Sequence, residues 1–360
     1  MVNSPALNDD DQMRFLYPFK VYLAAFGLFA AVIIIFLVLA NSFDRAPKQL
    51  DLSIPWAESE FHTQNAIRFA REVGRITEGR VQITVHPGAI LGIKGPDSLR
   101  AVSTGIVPMA EMAGFQQVGS EPILGFESLP FLIDTQEELR ALYTILRPVV
   151  EEAYARHGLK VLYIVPWPNQ NLFSDARPET LRDLRGLKIR TLDANTTELM
   201  DRLGLVSIQM PYADVVPSLA AGSLDGVLTS TSTASAQKYW EFITTVLRTN
   251  HHWISNMMII KKSVWDEISQ NDRDAINALT QELEPEFWAI SARDDKEKLK
   301  LLAENGVEVL EPNPELQKSI RSVSHQMWRE FIERVPESED ILDAYLKMTN
   351  RPPLKKEGQE

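Results

Sequence analysis

The chain has 360 residues, 44% hydrophobic side chains and a formal net charge of −12, which is enough apolar material for two packed lobes. The acid excess argues against a nucleic-acid partner, which would favour a basic stripe, but leaves room for a small anion in a locally positive cleft. With no cysteine there is no thiol nucleophile, no disulfide and no zinc–thiolate site.

The first predicted element is Val21 to Ala40, an uncharged run long enough to cross a bilayer as one helix. Arg14 and Lys20 precede it, so residues 1–20 stay in the cytoplasm and the chain after Ala40 is exported. Two readings stay open. Val38-Leu39-Ala40 suits cleavage as a signal peptide, whereas Asp9, Asp10 and Asp11 and the length of the run suit a retained signal anchor.

After a linker, Asp51 to Ile54 reads as a strand, and Thr63 to Arg75 as a helix with Ala66, Ile67, Ala70 and Val73 on one face. Val81 to Val85 alternates as a strand, and Asp97 to Thr104 is a helix stopped by Gly105. Leu159 to Val165 is a continuous apolar strand. A turn at Arg185-Gly186 opens the strand Leu187 to Arg190. Asn195 to Leu203 is a helix stopped by Gly204, Val206 to Met210 a strand, and Pro211 starts a helix ending near Gly222. Asp274 to Leu302 is one long helix, which Pro285 should kink. Such strand–helix alternation predicts an α/β architecture with mainly parallel pairing. The tail, residues 351–360, is polar and expected to be disordered.

Catalytic signatures are weak. There is no Gly-x-Ser-x-Gly, phosphate loop or dinucleotide fingerprint. His251 and His252 are adjacent, and adjacent strand residues face opposite ways, which argues against a chelating pair. The hydroxyls of Thr229 to Ser235 either cap a helix or face a ligand. Arg190 ends a strand before a helix, where open α/β sheets place their ligands. Its guanidinium matches a carboxylate by two parallel hydrogen bonds; a surface ion pair is the alternative reading.

Several spaced motifs occur in order: Thr77-Glu78-Gly79-Arg80-Val81, His86-Pro87-Gly88, Leu91-Gly92, Leu129-Pro130-Phe131, Leu184 to Arg190, Met210-Pro211-Tyr212, Asp225-Gly226, Thr249-Asn250-His251 and Ser263-Val264-Trp265. Together they resemble the substrate-binding subunit of tripartite ATP-independent periplasmic (TRAP) transporters, the family that includes dicarboxylate and sialic acid binding proteins. The resemblance spans roughly residues 50 to 335. It implies a two-lobe periplasmic-binding-protein-like fold with crossing strands. Lobe I would comprise residues 50–167 and 255–271, and lobe II residues 168–254. A long kinked helix, 272–305, would span both lobes, and residues 306–350 would pack on them.

The implied role is a periplasmic receptor without catalysis, cofactor or metal. It would capture a small organic acid and deliver it to integral membrane permease subunits of a TRAP transporter. A membrane-anchored module serving a signalling system is the alternative, and an exported enzyme on the same fold a third. The implied site starts with Arg190 on the ligand carboxylate. Gln170 stands where many relatives carry a second arginine, and Thr229 where they carry an asparagine. Tyr212 matches an aromatic residue that packs on ligand. Trp56, Lys94 and Met112 fall in three first-lobe loops lining the cleft, and Asn256 lies in the strand returning to that lobe, its alternative being a loop-side amide bonded to backbone. One arginine without its usual partner implies a monocarboxylate (a keto, hydroxy or aromatic acid), since an unpaired buried charge is costly. Lys94 is the residue that could instead hold a second carboxylate.

Overall fold

The computed structural model describes residues 46–354. The apolar run 21–40, the segment before it and the last six residues of the tail lie outside the described residues. Among the described residues, no helix is long and apolar enough to cross a membrane.

In chain order the strands are β1 (Lys48–Ser53), β2 (Val81–His86), β3 (Met109–Ala113), β4 (Leu159–Pro166), β5 (Asn171–Ser174), β6 (Lys188–Thr191), β7 (Val206–Gln209), β8 (Gly226–Thr229), β9 (Thr245–Leu247), β10 (Ser255–Lys261) and β11 (Glu308–Leu310). They form two sheets, one per lobe. The first has the order β2-β1-β3-β10-β4 and the second β11-β9-β5-β8-β6-β7.

Pairing is mixed rather than mainly parallel. In the first lobe β1 lies parallel to β2 and β3, but β10 runs antiparallel to β3 and β4. In the second, β6 is parallel to β7 and β8, but β5 is antiparallel to β8 and β9. The exceptions have one cause. Both β5 and β10 arrive directly from the opposite lobe and therefore enter their sheets from the other end. The two crossing segments are tied together by backbone bonds from Trp167 N to Ile254 O at 2.8 Å and from Gln170 N to His252 O at 3.2 Å.

The helices follow from buried stripes. Helix Phe61–Ile76 buries Ala66, Phe69, Ala70 and Val73 and packs on β2 and the long helix. It begins two residues before the expected Thr63. The expected helix from Pro211 is a 3-10 turn, Tyr212–Asp214, followed by a short helix, Val215–Ala220.

The long helix, Gln270–Glu304, starts on the Ser269 hydroxyl and continues through Pro285 as a single helix. Its first half buries Ile276, Leu279, Leu283 and Phe287, and it packs on β4 and helix Phe61–Ile76. Further along, Ser232 of helix Thr231–Ala236 donates to Asp294, and Leu302 sits in the core of the second lobe. One helix therefore contributes to both lobes. Three C-terminal helices, Pro314–Arg321, Ser324–Arg334 and Glu339–Met348, complete the fold. Trp328 Nε1 donates to Pro130 O at 2.9 Å. Arg351, inside the tail expected to be disordered, lies over the Tyr345 ring at 5.0 Å, a cation–π contact that holds the start of that tail.

Candidate ligand cleft between the lobes

Arg190 is the third residue of β6, level with Ile208 of β7 and Val227 of β8. These three strands run parallel, so their carboxyl ends share one edge, where ligands of such sheets sit. The guanidinium is buried, with Nε donating to Met210 O at 3.1 Å and Nη1 to Leu228 O at 3.2 Å. Both acceptors are neutral carbonyls just past or at the ends of β7 and β8. No carboxylate among the described residues forms an ion pair with Arg190, and Nη2 has no protein acceptor there. Burial pulls its pKa below the ordinary value, against weaker support from Tyr239, Asp193 and Tyr212. The arrangement is a pre-oriented cation lacking an anion, which is costly unless a ligand supplies one.

An aromatic chain runs from Tyr212, a neighbour of Arg190, into the first lobe. The Tyr212 ring meets Trp56 edge-on at 5.6 Å, and Trp56 meets Trp167 edge-on at 5.3 Å. Trp167 in turn packs on His62 at 4.2 Å and Phe61 at 5.5 Å. The Tyr212 hydroxyl donates to Glu60 Oε1 at 3.3 Å. These contacts join second-lobe Tyr212 to first-lobe residues, so the lobes are closed on one another.

The remaining candidates are distributed. Lys94 Nζ lies 2.9 Å from both oxygens of Asp214, so its charge is engaged at the rim. Gln170 is buried in the crossing segment and donates to Pro168 O at 2.7 Å. Thr229 ends β8 opposite Asn171 and is buried. Met112 lies in the first-lobe core, on the strand face opposite its neighbour Glu111. Asn256 bonds side chains rather than backbone: it accepts from Trp167 Nε1 at 2.8 Å and donates to Glu111 Oε1 at 3.1 Å.

The hydroxyls after Thr229 also have structural partners. Ser230 caps helix Thr231–Ala236, and Thr231 donates to Asp295 at 2.7 Å. His251 and His252 lie in the crossing segment rather than in a strand, with ring centroids 4.5 Å apart. Burial lowers the pKa of both, that of His251 to about 3, so both are neutral.

On the first-lobe side, Glu60 and His62, which sequence reasoning missed, join Trp56, which it named. Glu60 is 1% exposed, and its Oε2 has no partner among the described residues. Burial, reinforced by Asp294, pushes its pKa to about 8. His62 Nδ1 sits 2.8 Å from Glu111 Oε1 while its Nε2 is buried and unpartnered, as is Trp56 Nε1. A lone glutamate at a helix start reads as a partner of the helix dipole, which is why no sequence signal marked it.

Comparison with known proteins places this geometry in a family. Residues 52–334 match the model of DctP, bacterial extracellular solute-binding protein, family 7. A solute-binding protein of Chromohalobacter salexigens is 26% identical over 289 residues, 77% of this chain and 83% of that protein. Two crystal structures superpose with a TM-score of 0.80. One is DctP6 of Bordetella pertussis, an extracytoplasmic solute receptor binding pyroglutamic acid, at 25% identity over 83% of this chain and all of that one. The other is a marine metagenome TRAP solute-binding protein specific for pyroglutamate, at 29% identity over 84% of this chain and all of that one. A closed two-lobe cleft with one buried arginine, on a chain matched by this family over most of its length, makes the protein a member of the family 7 extracellular solute-binding proteins, the receptors of TRAP transporters.

Proposed function

We propose that this receptor binds a small monocarboxylate between its lobes and hands it to the membrane subunits of a TRAP-type transporter. The observation that carries the reading is Arg190, buried, held by two backbone carbonyls and without an acidic partner among the described residues. A ligand carboxylate would complete its fork. The aromatic pair Trp56 and Tyr212 would pack on the apolar part of the acid.

Preference for one carboxylate over two rests on charge. Gln170 offers an amide that already bonds Pro168 O, and Lys94 is paired with Asp214. A second carboxylate would therefore be buried without a cation. Pyroglutamate, a cyclic monoacid bound by two of the relatives above, fits this pattern and is the first probe to test. Release requires the membrane subunits to prefer one of the open and closed forms, because a partner binding both equally shifts nothing. If residues 21–40 are retained as an anchor, they would keep the receptor near its permease and raise its effective concentration there.

Native mass spectrometry of protein purified from cells tests the reading. The expected result is a single co-purified acid that is replaced by L-pyroglutamate or a related monoacid on titration. A receptor whose tightest ligand is a diacid such as succinate would overturn the monocarboxylate assignment.

A further inference from the structure

The first-lobe wall of the cleft holds a second anchor. Glu60 sits just before helix Phe61–Ile76, fully inside the closed interface. One oxygen already accepts the Tyr212 hydroxyl from the other lobe, while Oε2 is buried with no well-formed hydrogen bond among the described residues, although the Thr233 hydroxyl lies close enough to the carboxyl to pull its pKa down somewhat. Trp56 Nε1 and His62 Nε2, both buried and unpartnered, come from the same stretch of chain. Each buried polar atom left without a partner calls for an explanation. Glu60 and Arg190, on opposite lobes, have Tyr212 and Tyr239 as common neighbours.

We propose that Glu60 is a ligand-contacting residue whose protonated Oε2 donates a hydrogen bond to an oxygen of the bound acid, so that closure on ligand takes up one proton. This rests on the monocarboxylate reading of the cleft. The surroundings favour the neutral form. From the long helix, Asp294 adds negative charge and Lys298 only partly offsets it. From the second lobe come Tyr212 and Tyr239, both held neutral by burial, and Arg190. On the first lobe, His62 is committed to Glu111. An ionised Glu60 would face the ligand carboxylate as a like charge. Burial accordingly raises its pKa to about 8 in the closed form. Opening exposes the side chain and lets it ionise at neutral pH, which is the source of the proton linkage.

The ligand this wall suits has an acceptor oxygen besides the carboxylate held by Arg190. Lactam carbonyls, keto oxygens and hydroxyls qualify; a plain aliphatic acid does not.

Calorimetry with L-pyroglutamate and pyruvate as probes, in two buffers of different ionisation enthalpy from pH 6.5 to 9.5, tests this. Wild type should take up close to one proton per ligand near pH 6.5 and about half a proton near pH 8, and its affinity should fall by up to about tenfold per pH unit between those values and level off above them. Glu60→Gln, which still donates, should weaken binding modestly and take up no proton. Glu60→Ala should weaken binding at least tenfold at pH 6.5, and propionate should bind wild type no better than it binds Glu60→Ala. Affinity that depends on Arg190 but is unmoved by Glu60→Ala and independent of pH overturns the Glu60 inference alone. Binding indifferent to Arg190→Ala, or no acid bound at all, overturns the carboxylate reading beneath it.

Discussion

Lys94 and Asp214 bridge the mouth of the cleft, one from each lobe, with Nζ 2.9 Å from both carboxylate oxygens. The two side chains are 46% and 44% exposed, so the pair is screened and worth ~0–1 kcal/mol. It exists only when the lobes are closed, and so it biases closure rather than selecting a ligand. Lys94→Ala should lower affinity for every bound acid by the same factor, about two- to fivefold, with the effect vanishing in high salt. Titration of mono- and diacids at low and high ionic strength checks this. A loss confined to diacids would place Lys94 on the ligand.

Tyr212 also senses closure. Its hydroxyl reaches Glu60 at 3.3 Å and its ring meets Trp56 at 5.6 Å. Tyr212→Phe keeps the ring contact and removes the hydrogen bond, typically worth ~0.5–1.5 kcal/mol. The expected outcome is a modest loss of affinity expressed mainly as faster ligand dissociation. Stopped-flow measurements giving an unchanged dissociation rate would show that the hydroxyl contributes nothing to the closed state.

The stability of the protein should peak at mildly acidic pH. His251 and His252 have folded pKa values below their ordinary 6.5. The unfolded chain therefore binds more protons there, and the stability they allow is complete above pH 6.5 and lost as pH falls. Glu60 and Glu127 are raised by burial from 4.5 to about 8 and about 7. Their contribution is complete below pH 4.5 and lost as pH rises to those values. Between 4.5 and 6.5 the two pairs oppose one another; above 6.5 the glutamates act alone, at up to ~1.4 kcal/mol per pH unit for each proton. Urea midpoints across pH 4 to 9, measured with saturating ligand so that the lobes stay closed on Glu60, should show a broad maximum that declines above 6.5. The Glu60→Gln, Glu127→Gln double variant should flatten the alkaline side; a decline of the same steepness would assign it to other groups.

Gly226 explains part of a motif. A Cβ there would lie 2.4 Å from Phe173 O and 2.9 Å from Ile189 Cδ1, because β8 is wedged between β5 and β6 at that point. Asp225 beside it accepts Lys188 N at 2.8 Å. Gly226→Ala should destabilise by ~1–3 kcal/mol through forced strand separation, measurable as a drop in melting temperature with ligand stoichiometry kept.

What the sequence could reveal depended on the range of the interaction. Arg190 was readable because a local turn, strand and helix fix its place at a sheet edge. The long helix was readable because its contacts repeat along one continuous stretch. The direction of β5 and β10 was not, since it follows from the path of the chain between lobes. Nor was Glu60, whose burial is created by Tyr212 and the Asp294 region, far away in sequence. Resemblance alone puts Gln170, Lys94 and Asn256 near the cleft; the Gln170 amide folds back on Pro168 O two residues away, while Lys94 and Asn256 bond Asp214 and Trp167, distant partners that no local pattern encodes.

Calorimetry of L-pyroglutamate binding to wild type, Arg190→Ala and Arg190→Lys tests the central claim most directly. Truncating one partner of a desolvated charge pair costs ~2–5 kcal/mol, so Arg190→Ala should lose at least about thirtyfold in affinity. Arg190→Lys should fall between the two, because a point charge replaces the planar fork. Circular dichroism and melting should confirm that both variants are folded. Folded variants that bind with wild-type affinity would contradict the assignment of Arg190 as the carboxylate anchor.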